Sequence, residues 1–118
     1  MPRIRTLVVI AAVGSALAVT AQAGAATKLT GTVGPGFTIS LKQGGKAVKT
    51  LKAGSYSITV SDKANIHNFH LRGPGVNKEI TAVGFVGNKT VTVKLSKGTY
   101  TFVCDPHAST MKGSFKTF

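Results

Sequence analysis

The C-terminal stretch GTYTFVCDPHASTMKGSFKTF, residues 98–118, combines a strand pattern with the only cysteine of the 118-residue chain. In this stretch Tyr100, Phe102 and Cys104 stand at every second position. This is the two-residue period of a strand with one buried face. A His and a Met follow the cysteine in the same stretch, at His107 and Met111. The stretch therefore predicts a strand that ends in a cluster of side chains able to bind a metal.

The same alternation recurs along most of the chain from Thr27 onward. It is clearest in three further segments, Phe37–Leu41, Tyr56–Val60 and Val91–Leu95, where every second residue is apolar. Turn-forming glycines and prolines separate the segments, and no segment after the N-terminus shows apolar residues at helical spacing. The pattern predicts an all-β domain, a two-sheet β-sandwich of about seven to eight short strands. The least regular stretch, 72–88, predicts a long connection with at most a short strand.

The N-terminus has the three-part layout of a secretory signal peptide. Arginines precede an uncharged apolar run, Leu7–Val19, and small residues that fit A-x-A cleavage follow it. This run of 13 residues is shorter than the roughly 20 needed to span a bilayer, which argues against a transmembrane anchor. We expect cleavage after Ala23, with Ala25 or Ala26 as alternatives, so that residues 1–23 are removed. Residues 24–118 then form one exported domain in the periplasm or outside the cell.

The expected mature chain is strongly basic. Without Arg3 and Arg5, 13 of the 15 Lys and Arg remain against three acidic residues, which gives a net charge of +10. Such a charge favours anionic partners through long-range attraction. The lysines are scattered singly, with no basic run and no nucleic-acid-binding motif, so we expect no nucleic-acid partner.

A lone cysteine cannot form an internal disulfide, and in an exported protein its thiol needs burial or a metal for protection. A Cys-His pair is one form of nucleophile and base, but no orienting residue other than Asp105 is evident. Zinc accepts Cys and His but has little use for a thioether. Copper uses all three donor types, because a type 1 centre combines two His and one Cys with a distant axial Met. The copper interpretation therefore needs a second His.

Two candidates for this second histidine occur in NIHNFHL, residues 65–71. By alternation His67, Phe69 and Leu71 share one strand face, while Asn68 and His70 share the other. Since Phe69 and Leu71 are expected to be buried, His67 is predicted to point inward and His70 toward solvent. A bulge within this segment would reverse that assignment.

Both motifs resemble those of the plastocyanin-like cupredoxins. GTYTFVCDPHASTMKGSFKTF is similar to the C-terminal strand, ligand loop and final strand of that family, which reads G-T-Y-x-F-x-C-x-P-H followed by a Met and a Gly. IHNF, residues 66–69, is similar to the upstream His-Asn motif of the same family. The resemblance implies a cupredoxin-like Greek-key β-sandwich that holds one copper ion in a type 1 site.

The resemblance also implies roles for individual residues. The copper ligands would be three equatorial side chains and one axial side chain: His67, Cys104, His107 and Met111. Asn68 would hydrogen-bond across to the Cys-bearing loop, and Pro106 would stiffen that loop through its fixed φ.

The function that follows is one-electron transfer, with no catalysis of a bond-making reaction. We expect transient protein redox partners that are acidic at their docking face, and a monomeric carrier. The alternative is a copper carrier or storage protein with the same site, which would need further exposed soft ligands. Met111 is the only Met of the expected mature chain, but His70 keeps this alternative open.

Overall fold

The computed structural model describes residues 25–118, so the predicted signal peptide, residues 1–23, lies outside the described residues. In this part the chain forms ten strands: β1 (Thr27–Val33), β2 (Ile39–Gln43), β3 (Lys46–Ala47), β4 (Thr50–Leu51), β5 (Gly54–Asp62), β6 (Phe69–Gly73), β7 (Val76–Thr81), β8 (Gly87–Leu95), β9 (Gly98–Val103) and β10 (Lys112–Thr117). A short 3-10 turn spans Asp105–His107. The predicted all-β domain is confirmed. The short strands β3 and β4, of two residues each, bring the number of strands above the predicted seven to eight.

The strands form two five-stranded sheets. The first sheet has the order β3-β2-β1-β5-β8, and the second has the order β4-β10-β9-β6-β7. Pairing is antiparallel except between β1 and β5 and between β4 and β10. The chain passes from the first sheet to the second between β5 and β6 and returns between β7 and β8, so both sheets belong to one domain. This arrangement is the predicted sandwich.

The core lies between the sheets and consists of the inward residues of the alternating strands. Fully buried side chains include Ile58 of β5, Leu71 of β6 and Phe115 of β10. Each contributes about 1.5–3 kcal/mol when it leaves water. In the second sheet the rings of Phe69 and Phe102 stack with centroids 5.7 Å apart. These two residues each lie two positions from a candidate ligand, so the stack fixes β6 against β9 directly beside the candidate metal centre.

The stretch 72–88 is more regular than its sequence predicts. β6 continues to Gly73, and after a turn at Pro74-Gly75 the six-residue β7 pairs with it. The Tyr100 hydroxyl donates to the Pro74 carbonyl at 2.7 Å, which anchors the turn. The prediction of a long connection was wrong because β7 is an edge strand. Its first four residues are not buried, so burial imposes no apolar alternation on them.

Phe37 also departs from the expected pattern. Alternation assigns it to the same strand face as Ile39 and Leu41, but β2 begins only at Ile39. Phe37 lies in the preceding turn, where 61% of its surface is exposed. The assignment of Phe37 to a half-buried strand was therefore wrong, and its ring belongs to the surroundings of the candidate metal centre.

Candidate metal centre

The hairpin that joins β9 to β10 forms one side of the candidate centre. Val103 pairs with Lys112 in the ladder, so the next residues inward on the loop, Cys104 and Met111, also lie opposite each other. The Cys104 N–H donates to the Met111 carbonyl at 3.0 Å. Both side chains are fully buried. The strand pairing thus brings Cys and Met together although seven positions separate them in sequence.

The loop between them is held by its own backbone hydrogen bonds. The His107 N–H donates to the Cys104 carbonyl at 3.0 Å, and the Met111 N–H donates to the His107 carbonyl at 2.9 Å. Pro106 lies in the first turn of the 3-10 segment, where the N–H that proline lacks has no partner to lose. The loop therefore turns His107 back toward Cys104.

His67 reaches the same place from the other side of the fold. It lies in the connection between β5 and β6, two residues before β6 begins, and is fully buried. Its Nδ1 atom is 3.6 Å from Cys104 Sγ and 3.2 Å from His107 Nδ1, and Sγ is 3.5 Å from His107 Nδ1. The centre of such a triangle lies about 2 Å from each donor atom, close to the length of a metal–nitrogen bond. The three side chains are thus spaced to hold one ion.

The neighbouring histidine does not take part in this triangle. His70 is on β6, opposite Val103 of β9, and is only partly buried. The register of β6 and β7 does shift at Phe69/His70, but the unpaired residue is Ile80 of β7. Since the extra residue belongs to the partner strand, alternation within His67–Leu71 is preserved. The predicted orientations, with His67 inward and His70 on the other face, agree with this geometry.

The donor chemistry fits copper. Cys104, His67 and His107 supply one soft thiolate and two imidazoles, and buried Met111 supplies a thioether in the same loop. Together they form the arrangement of a type 1 copper site, in which the axial Met is a long, weak contact. His67 directs its Nδ1 atom at Cys104 Sγ and His107 Nδ1, and the three atoms form the donor triangle. The other ring nitrogen, Nε2, is buried and has no hydrogen-bond partner among residues 25–118.

Asn68 connects His67 to the Cys-bearing loop, as the resemblance implies, and it does so through Asp105. The Asn68 side chain accepts from the Asp105 N–H at 2.7 Å and donates to the Asp105 carboxylate at 2.7 Å. Its amide also donates to Glu79 at 2.8 Å. The buried amide thus satisfies its hydrogen-bonding groups by bridging two loops and β7.

Asp105 is the residue that sequence reasoning did not assign to the centre. Its carboxylate lies 2.7 Å from His70 Nδ1 and 3.3 Å from Arg72 Nη2. Burial by itself would raise the pKa of Asp105, but the hydrogen bonds from Asn68 and His70 and the attraction of His70 and Arg72 hold that pKa below its ordinary value. The position next to Cys104 was visible in the sequence, but His70 and Arg72 come from β6, and strand pairing brings them to Asp105.

Phe37 is the second residue missed as part of the site. Its ring packs edge-on against both histidines, with centroids 5.5 Å from His67 and 4.9 Å from His107. Gly34 lets the same turn approach closely, because a Cβ there would lie 3.1 Å from His67 Cδ2 and the backbone has a φ of +75°. The only sequence signal was the Gly34-Pro35-Gly36 turn that precedes Phe37.

A β-sandwich that brings a buried Cys and Met and two His together at one end defines the class of type 1, or blue, copper proteins. Residues 15–117 match the family model described as copper binding proteins of the plastocyanin/azurin family. The chain therefore belongs to the plastocyanin/azurin family, and its cofactor is copper.

Solved structures with a similar fold include several of rusticyanin. A rusticyanin mutant at 1.5 Å resolution has a TM-score of 0.57 and 22% identity, with 77% of this chain and 76% of that chain covered. Reduced rusticyanin gives 0.56 and 21%, with 77% and 78% covered. Rusticyanin from Thiobacillus ferrooxidans gives 0.54 and 24%, with 77% and 76% covered. At these identities the likeness concerns the fold. No curated protein sequence matches the chain.

None of the helical segments in residues 25–118 has the length and apolar character needed to cross a bilayer.

Met111→Leu is expected to retain about one copper per chain and to raise the reduction potential. Loss of a weak sulfur donor disfavours the cupric state, whereas the three equatorial donors dominate binding. Leu has nearly the volume of Met, so folding stability should fall by about 1 kcal/mol or less. Copper analysis and voltammetry of the purified variant measure both quantities. Complete loss of copper would show that the axial residue is required to assemble the centre.

Proposed function

We propose that this protein is an exported one-electron carrier that exchanges electrons with transient protein partners and catalyses no bond-making reaction. The observation that carries the proposal is the unequal burial of the ligands. Cys104, His67 and Met111 are fully buried, whereas His107 is partly exposed. Copper, when bound, supplies a one-electron redox couple. Because only one imidazole of the ligand set is accessible to solvent, the centre is suited to exchanging electrons through His107 while its ligands stay bound.

The protein scaffold supports this role by holding the donor atoms in place. Cys104 and Met111 are joined by a backbone hydrogen bond across a strand pair, and Asn68 attaches the His67 segment to the loop through Asp105. Hydrogen bonds that orient metal ligands keep their geometry nearly fixed. Little rearrangement would then accompany a change of oxidation state, which favours rapid transfer.

The surface around His107 suits brief protein contacts. Pro106 and Ala108 are exposed on either side of His107, and exposed Phe37 lies against its ring. We expect electrons to enter and leave at this edge, since it is where the ligand set comes nearest to the surface. Small and apolar side chains here allow a partner to approach the imidazole edge closely.

The alternative, copper delivery or storage, is less well supported by the surroundings of His70. Its Nδ1 atom faces Asp105, and its Nε2 atom faces the Asn77 side-chain oxygen. Both nitrogens are therefore engaged. Within residues 25–118 Met111 is the only methionine, and it is buried. The described surface thus offers no second soft ligand next to the centre to receive a departing ion.

Reversible reduction with copper retained is the test that separates these functions. One equivalent of a small reductant should bleach the visible band of the copper-loaded protein, and oxidation should restore it. The expected result is full recovery over repeated cycles in the presence of a cuprous chelator. Release of copper to the chelator upon reduction would instead favour delivery.

Electrostatic attraction should assist docking to an acidic redox partner. With a net charge of about +10 on the expected mature chain, the association rate should fall as salt is added. Screening reduces the reach of exposed charges to about 8 Å at physiological ionic strength. Stopped-flow reduction by an acidic electron-transfer protein, from low to physiological salt, measures the effect, and an uncharged reductant is the control. A rate independent of salt would leave the lysines without a docking role.

A further inference from the structure

Two of the acidic residues of this basic protein, Asp105 and Glu79, lie beside the candidate metal centre. The whole chain contains only three acidic side chains. Asp105 directly follows Cys104, Glu79 shares the Asn68 amide with Asp105, and Asp62 is buried at the end of β5, five residues before His67. Two of the three carboxylates of a chain with 15 basic residues thus contact the Asn68 amide, directly next to His67.

Asp105 has the largest number of polar contacts among these three. Its carboxylate accepts from Asn68, and it lies within hydrogen-bonding distance of His70 and Arg72. Its backbone N–H donates to the Asn68 side chain. All three partners lie in the segment 67–72, so one residue of the ligand loop is hydrogen-bonded to the segment that follows His67. His70 is itself held by Asn77 of β7.

We propose that Asp105 is a positioning residue, which fixes the ligand loop against β6 before copper binds and lowers the reduction potential of the bound copper. The inference rests on the proposed function, because a potential requires a copper centre that cycles between two oxidation states. The positioning role itself concerns the protein without metal. It follows from hydrogen bonds that involve no ligand atom of the donor triangle.

The direction of the effect on the potential follows from charge. A cupric centre carries one positive charge more than a cuprous centre, so a nearby carboxylate favours the oxidised form and a cation disfavours it. The many lysines raise the potential by this argument, and Asp105 opposes them from the residue next to Cys104. Asp105→Asn removes the negative charge and leaves Arg72 without the carboxylate that it contacts, and both changes disfavour the cupric state.

The test compares Asp105→Asn and Asp105→Ala with a charge-matched control. Ser55→Lys also raises the net charge by one, at an exposed position at the opposite end of β5 from Asp62. With a rise of about 3.3 Å per residue, this site is roughly 20 Å from that end of the strand. Copper affinity in both oxidation states and the reduction potential are measured for each variant. Amide hydrogen exchange is measured in the metal-free proteins.

We expect Asp105→Asn to keep the visible band and to lose about tenfold more cupric than cuprous affinity, which corresponds to a rise in potential of about 59 mV for one electron. Asp105→Ala should lose about 10–100-fold in cupric affinity. In the metal-free protein it should also lose exchange protection at the residue 105 amide, while Ser55→Lys should change none of these quantities appreciably.

A potential for Asp105→Asn no higher than that of Ser55→Lys would overturn the proposal, as would unchanged amide protection in Asp105→Ala. A purely structural role would lower stability without moving the potential of Asp105→Asn, and that result also contradicts it. If the wild-type protein failed to bind copper, the proposed function would fail separately. The exchange experiment on the metal-free variants would still decide whether Asp105 fixes the loop.

Discussion

Cys104→Ser is expected to abolish the visible absorption of the copper-loaded protein while the sandwich stays folded. The absorption of a blue copper site near about 600 nm arises from charge transfer between the thiolate and copper, so it needs the sulfur. Cys104 is fully buried, and a hydroxyl in its place costs about 1–3 kcal/mol. That is less than the roughly 5–15 kcal/mol stability of an ordinary domain. Absorption spectra and far-UV circular dichroism measure the two parts of this prediction.

Ser109→Ala is the matched control for this variant. Ser109 is exposed in the same loop and contributes no donor to the centre, so its substitution should leave the band in place. A band that persists in Cys104→Ser would mean that another group binds the ion, and the assignment of Cys104 as a ligand would be wrong.

His67→Ala and His70→Ala should have opposite effects on colour. His67→Ala removes one of the three donors that lie within 3.2–3.6 Å of one another, so the blue band and most of the bound copper should be lost. His70→Ala leaves the donor triangle intact and should keep the band and about one copper per chain. Its potential should shift, because Asp105 loses a hydrogen-bond partner. Visible spectra and copper analysis of the two purified proteins provide the comparison.

The reverse result for this pair would show that the chain reaches copper through the other imidazole. It would also require His70 to break its contacts with Asp105 and Asn77 and to move its side chain to the opposite face of the second sheet. Exogenous imidazole offers a further check on His67→Ala. If the protein folds with an empty ligand position, imidazole should restore part of the band, whereas a misfolded variant should not respond.

Alternation made most of the core predictable. In β5 and β9 one face is covered by the other sheet and one face meets water, so burial itself imposes the two-residue period. Tyr56, Ile58 and Val60 are buried accordingly. The same reasoning failed for β7, where only the last two residues, Ile80 and Thr81, are buried. It also failed for Phe37, which lies in a turn before β2 and not in a strand. The position of its ring is set by contacts with His67 and His107, which are distant in sequence.

The sequence by itself predicted the donor set and the inward direction of His67. One cysteine, the spacing of His107 and Met111 from it, and the parity of His67 with Phe69 and Leu71 are local properties, since side-chain direction repeats every two residues along a strand. The assignment of the four residues as copper ligands remains a prediction that the variants test. Their proximity is consistent with it.

Only the tertiary structure decided what surrounds the donors. Asp105 contacts His70 and Arg72 because β6 pairs with β9. Through that register, side chains that are 35 and 33 positions apart in sequence become neighbours. Phe37 reaches the histidines because its turn lies over the end of the sandwich. The extra residue at the irregular point of the β6–β7 pair is in β7, which preserved the parity of His67. Contacts of this kind depend on which strands pair and in what register, and a local sequence pattern does not contain that information.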